Sequence, residues 1–166
     1  MKKITLLIIT FSFAFSAFSQ TIVETAVSNK DFSTLVTALK AADLVGALSG
    51  EGPFTVFAPN NAAFAKIDSE TLSSLLEPAN VKALSNILTY HVVSGKLLAA
   101  DVAKALKAGD GKAKLKSLNG QDLTAILKYE KIYLIDAKGG SSEIIATDVI
   151  GTNGVIHVVD TVVMPE

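Results

Sequence analysis

The chain has 166 residues, with 15 lysines and no arginine against 16 acidic residues, no cysteine, and a formal charge of −1. Near-neutral charge without a single guanidinium argues against nucleic acid as a partner, because bidentate reading of phosphate and guanine belongs to the arginine fork. Without cysteine there is neither a disulfide framework nor a thiolate metal centre, so the fold must rest on its apolar core.

Met1-Lys2-Lys3 is followed by fifteen uncharged residues, 4–18, and by Ala17-Phe18-Ser19. A basic start, an apolar run too short to span a bilayer comfortably and an A-x-S pattern predict a secretory signal peptide over residues 1–19, cut after Ser19 or after Gln20. The expected product, residues 20–166, is one domain with 13 lysines against 16 acids. A chain of that size buries about 68–70% of its unfolded surface and needs no staples. No cysteine can carry lipid and no apolar tail follows Pro165, so a periplasmic or secreted location is expected, without a membrane span.

Thr21-Ile22-Val23-Glu24 reads as a capping box opening a short helix. Asp31 is expected to cap a second helix, carrying Phe32, Leu35, Val36 and Leu39 at helical spacing and running to about Leu44. Residues 54–58 (F-T-V-F-A) read as a strand closed by Pro59. Asn60-Asn61 and then Asp68 or Ser69 can cap two short helices, the second stopped by Pro78. Val81, Leu84, Ile87 and Leu88 mark another helix leading into Tyr90-His91, and residues 99–108 one more, ended by Gly109.

Beyond Gly111 the pattern turns to strands: 112–118, the Asn119-Gly120 hairpin signal, 122–128, 131–136 and 143–150. The last stretch, residues 153–165 (N-G-V-I-H-V-V-D-T-V-V-M-P), is dense in β-branched residues without clean alternation. It predicts a central strand covered on both faces, entered through a positive-φ turn at Asn153-Gly154 and terminated by Pro165. A helix-rich first half and an antiparallel β-meander in the second make the chain α+β.

His157 and Asp160 invite a catalytic reading, but residues three apart on a regular strand face opposite ways. The two histidines supply no local metal motif, no G-x-S-x-G elbow is present, and Gly109-Asp110-Gly111-Lys112 lacks the rest of a P-loop. Lys112, Lys114 and Lys116 alternate onto one strand face, where they either keep an edge solvated or meet an anionic polysaccharide or lipid.

Three segments, G-P-F-T-V-F-A-P-N-N-A-A-F at 52–64, Tyr90-His91, and N-G-V-I-H-V-V-D at 153–160, together resemble the fasciclin family of exported adhesion domains. The resemblance spans residues 21–165 and implies a compact wedge of antiparallel β-strands with several helices packed around it. Gly52, Pro53, Phe54, Phe57, Pro59, Asn153, Gly154, His157 and Asp160 are its structural positions. It also implies partner contacts at Tyr90, His91, Asp148 and Val149, no catalytic residue and no cofactor or metal. The expected activity is contact with a cell-surface or matrix protein or polysaccharide; the alternative is carriage of an apolar small molecule such as a carotenoid or lipid.

Overall fold

The structure, a computed structural model, describes residues 20–166. The expected signal peptide, residues 1–19, lies outside the described residues. Helix α1 (Ile22–Ser28) starts at the predicted capping box: the Thr21 hydroxyl accepts from the Glu24 N–H at 3.2 Å, and the Glu24 carboxylate accepts from the Thr21 N–H at 2.8 Å. Its position is set from far away, since Asn153 Oδ1 accepts from the Ile22 N–H at 3.0 Å.

The second helix differs from expectation. Asp31 does not cap it; it lies inside a short 3-10 turn (Lys30–Phe32) capped by Asn29, whose side chain accepts from the Asp31 N–H at 2.9 Å. Helix α2 (Ser33–Ala41) finds its N-terminal acceptor in Asn61, 27 residues on, whose Oδ1 takes the Thr34 N–H at 3.0 Å. It ends at Ala41 rather than Leu44, because Asp43 turns into the left-handed region at φ 54° and the chain restarts as α3 (Val45–Ser49). Asp, unlike a β-branched residue, tolerates that conformation.

Strand β1 (Phe54–Pro59), α4 (Asn61–Phe64) capped by Asn60, α5 (Ser69–Leu75) capped by Asp68, and α6 (Val81–Tyr90) follow where the punctuation placed them. A short β2 (Val92–Ser94) leads to α7 (Ala99–Ala108). The meander then runs β3 (Lys112–Lys116), β4 (Asp122–Lys128), β5 (Lys131–Ile135), β6 (Ser141–Gly151) and β7 (Gly154–Val159).

These strands form one sheet in the order β2-β1-β7-β6-β5-β4-β3, and a bridge between Val93 and Ser117 draws its two ends together into a near-barrel. Neighbours pair antiparallel except β1 and β7, which run parallel with Phe54 opposite Gly154 and Phe57 opposite His157. The fold class is the α+β wedge expected from sequence, with that one parallel joint at its centre.

The joint serves two cores. Ala58 and Ile156 pack with Ile22, Phe32, Leu35 and Leu88 beneath the helices. Phe57 and Val159 pack with Tyr90, Leu106, Leu123 and Leu134 inside the barrel. Strands β1 and β7 therefore bury both faces, which is why the sequence of β7 shows no period of two. The strand is shorter than expected. It ends at Val159, six residues before Pro165, because Val162 turns into the helix-side core and Val163 into the barrel core. The remaining tail is held by side chains: the N–H groups of Thr161, Val163, Met164 and Glu166 donate to Ser142, His91, Asp136 and Gln121 at 2.9–3.1 Å.

Candidate functional site

Tyr90 and His91 end α6 deep in the molecule, with 0% and 2% of their surfaces exposed. The Tyr90 hydroxyl donates to the Asp122 carbonyl at 3.1 Å, and burial pushes its pKa up. His91 Nδ1 lies 2.8 Å from the Ile87 carbonyl, and Nε2 accepts from the Val163 N–H at 3.1 Å. That pattern requires the neutral Nδ1–H tautomer. Burial accordingly lowers the imidazole pKa to about 4. The pair ties the helix end to β4 and to the C-terminal tail.

Asp148 and Val149 lie in the irregular part of β6, where the register against β7 shifts between Ala146 and Val149. Asp148 adopts φ 59° and is exposed, whereas Val149 is half-buried against the helix-side core. The Asp148 Oδ1 accepts from the Ala99 N–H at 2.8 Å, placing a carboxylate at the first turn of α7, where free N–H groups and the helix dipole favour it. The Asp148 N–H donates to His157 Nδ1 at 3.3 Å, so His157 carries its proton on Nε2 and donates to the Leu97 carbonyl at 2.7 Å. The two histidines thus use opposite tautomers, each fixed by the backbone groups it meets. His157 also stacks on Phe57, their ring centroids 5.6 Å apart.

His157 and Asp160 do not meet. Asp160 accepts from Lys66 Nζ at 3.0 Å, from the Glu143 N–H at 2.8 Å and from the Thr161 hydroxyl at 3.0 Å. Burial would raise its pKa, but the Lys66 ammonium and these hydrogen bonds outweigh it, leaving the carboxyl below its ordinary value. The other signature positions are used internally as well. Asn153 accepts from Ile22 and donates to the Leu48 and Gly50 carbonyls at 2.8 and 2.9 Å, joining α1, α3 and β7. The Pro53 carbonyl accepts from the Gly95 N–H at 2.9 Å, and Pro59 ends β1 opposite Val159.

Gly52 and Gly154 are required by contact rather than by dihedral angle. A Cβ on Gly52 would fall 2.0 Å from the Asn153 oxygen, and one on Gly154 2.1 Å from the Phe54 oxygen. The expected positive-φ turn at Asn153-Gly154 is absent: neither residue has positive φ. Among the described residues no group of three or more His, Asp or Glu side chains could hold a metal ion, and no helix is long and apolar enough to cross a membrane.

A fasciclin domain family model matches residues 30–165. The chain belongs to the fasciclin family. Protein sll1483 of Synechocystis sp. is 50% identical over 147 residues, covering 89% of this chain and 74% of that protein. The cell surface glycolipoprotein MPB83 of Mycobacterium bovis is 36% identical over 149 residues, covering 86% of this chain and 60% of its own length. Among solved structures, a FAS1 domain pair from the insect cell adhesion molecule Fasciclin I matches the fold with a TM-score of 0.75. That match is 19% identical and covers 86% of this chain and 50% of the pair.

Thr55 and Asp136, which organise this fasciclin domain, have no place in the sequence reading, and Asn61, expected there as a local cap, serves a different helix. Thr55 is fully buried in β1; its hydroxyl donates to the Gly95 carbonyl at 2.7 Å and accepts from the Leu97 N–H at 2.8 Å, fixing the loop before α7. Asn61 caps α2 from a distant element. Asp136 Oδ1 accepts from the Lys138 and Gly140 N–H groups, while Oδ2 takes the N–H of Met164. Thr55 alone carried a sequence signal, as the one hydroxyl in an apolar strand; the other two act over distances that spacing does not encode.

Proposed function

We propose that this protein is an exported, non-catalytic adhesion module that works by presenting a surface to a cell-surface or matrix partner. Residues 1–19 direct export and residues 20–166 are the fasciclin domain, released to the periplasm or beyond. The observation that carries this reading is the use made of its polar signature residues. His91, Asn153, His157 and Asp160 are spent on hydrogen bonds inside the fold, and no buried side-chain nitrogen or oxygen among the described residues lacks a partner. A catalytic group needs a free donor or acceptor aimed at substrate; both ring nitrogens of His91 and of His157 are already engaged, and Asp160 is held by Lys66 and the Glu143 N–H.

The contact surface of this reading is the irregular stretch of β6. Asp148 is exposed there between Ile145 and Ile150, which stand 49% and 60% exposed. Exposed aliphatic side chains around a carboxylate suit a small protein contact. Tyr90 and His91, being buried, tie α6 to β4 and to the C-terminal tail rather than adding to that surface.

Carriage of a carotenoid or lipid is the weaker reading. The apolar space between the helices and the sheet, lined by Ile22, Val23, Leu35, Leu39, Leu48 and Ile156, holds only about 20 Å³, whereas small-molecule pockets run to roughly 300–1,000 Å³.

The purified protein, immobilised and exposed to cell-envelope and matrix fractions, should retain a specific partner that a heat-denatured control does not. An Ile145→Glu/Ile150→Glu variant should lose that partner at an unchanged melting temperature. Equal retention by native and denatured protein would sink the adhesion reading. The intact mass of exported protein should correspond to a chain beginning at Gln20 or Thr21.

A further inference from the structure

The outer face of strands β3, β4 and β5 lies on the far side of the barrel core, away from the helix-side core. Register places Lys112, Ile126, Tyr133 and Glu143 in one row across it, and Lys114, Thr124, Ile135 and Ser141 in the next. Lys116 stands opposite Asp122, and Lys128 opposite Lys131 at the hairpin end. Five lysines thus face out against two carboxylates, Asp122 and Glu143, on a domain whose residues 20–166 carry a net negative charge. These strand positions carry a local excess of three positive charges.

Lys131 holds the Glu143 carboxylate at 2.7 Å, but the ion pairs of Lys114 and Lys116 are loose. Lys116 and Lys114 share Asp122 at 3.3 and 3.9 Å, with their side chains 70% and 78% exposed. Pairs of this kind contribute little and exchange readily for another anion. Beside the lysines runs a groove of about 180 Å³ bounded by Ile126, Tyr133 and Ile135 below and by Lys128 and Tyr129 at its end. Tyr129 is 83% exposed, and its ring lies 5.3 Å from Lys128 Nζ. Two tyrosine rings offer apolar faces to the C–H faces of a sugar, and the Thr124 and Ser141 hydroxyls offer hydrogen bonds.

We infer that this face binds an anionic polysaccharide, with Lys112, Lys114 and Lys116 reading carboxylate or sulfate groups along the chain and Tyr129 and Tyr133 seating sugar rings. It is separate from the β6 surface and rests on the adhesion reading only in giving an exported module a matrix ligand. Direction favours a polymer over a lipid surface. The lysine row runs along β3 for about 13 Å at roughly 3.3 Å per residue, away from the β4–β5 hairpin tip. A membrane touched by that tip would leave Lys114 and Lys116 behind, whereas a linear polyanion lying along the strand meets all three.

Native electrophoresis of the purified protein through gels containing alginate, dextran sulfate or neutral dextran tests this. Both polyanions should retard it, neutral dextran should not, and added salt should abolish the retardation. Lys112→Glu/Lys114→Glu should weaken binding roughly tenfold or more, and Tyr129→Ala several-fold with salt sensitivity kept, both at unchanged melting temperature. If the double variant does not fold, Lys112→Ala alone should still bind more weakly than wild type. Migration unaffected by either polyanion, or lysine variants that bind as wild type does, would overturn the inference. So would binding to phosphatidylglycerol vesicles without retardation by polysaccharide, which assigns the face to a membrane. Retention by envelope fractions without any shift in these gels removes this inference alone; failure in both assays removes the adhesion reading too.

Discussion

At Gly154 the backbone of β7 passes so close to β1 that a single Cβ would fall 2.1 Å from the Phe54 oxygen. The obstacle is backbone held in the parallel ladder, so it cannot swing aside. Gly154→Val should therefore cost more than about 2 kcal/mol and lower the melting temperature by several degrees; an unchanged melting temperature would show that the two strands can separate freely. His91 sets a pH limit on the fold. Burial lowers its pKa to about 4 from 6.5, so the unfolded chain takes up a proton below about pH 6.5 that the folded chain refuses until about pH 4. Its contribution is fully present above that window and is lost as pH falls through it, by at most about 3 kcal/mol. Protonation would also set an Nε2–H against the Val163 N–H. Urea unfolding at pH 7.5 and 4.5 should show a smaller loss in His91→Gln than in wild type; equal losses would mean that other groups carry the acid sensitivity.

Elements here depend on single polar side chains supplied from elsewhere. Thr55 both donates to Gly95 and accepts from Leu97, so Thr55→Val keeps the shape while leaving a carbonyl and an N–H unpaired beneath α7. Such a loss costs about 1–3 kcal/mol, and hydrogen exchange should rise first in the loop at 95–98. The C-terminal tail has the same dependence in reverse. Removing residues 162–166 takes Val162 and Val163 out of two cores and frees His91, Asp136 and Gln121. That truncation should lose cooperative unfolding as followed by circular dichroism; a sharp transition near the wild-type temperature would show the tail to be dispensable. The helices were legible because their caps and stops are local: the capping box at Thr21, Asn60, Asp68, and Gly109 after α7. Helix α2 was misjudged at both ends because its acceptor comes from Asn61 and its stop from the backbone turn at Asp43.

For the molecule as a whole, β1 and β7 form the wall between two cores, so neither core can melt without exposing the shared strands. Near-UV signals from the buried Tyr90 in the barrel core and far-UV signals from the helices should therefore unfold at one midpoint. Separated midpoints would show that the helix layer detaches on its own. Charge is also organised at this scale. A nearly neutral composition conceals a lysine face on β3 to β5: alternation along the chain marks Lys112, Lys114 and Lys116, and strand register adds Lys128 and Lys131 beside them.

Composition, turn chemistry and hydrophobic spacing were sufficient to determine the α+β class, most element boundaries and the family motifs, because each depends on neighbours within a few residues. Tertiary structure alone decided that β1 and β7 run parallel, that Gly52 and Gly154 answer to a crossing backbone, and that Tyr90 and His91 face inward. It also gave Asp148 its place at the start of α7, 49 residues away in sequence. These outcomes follow from which distant backbone groups meet, and a linear pattern carries no distance between them.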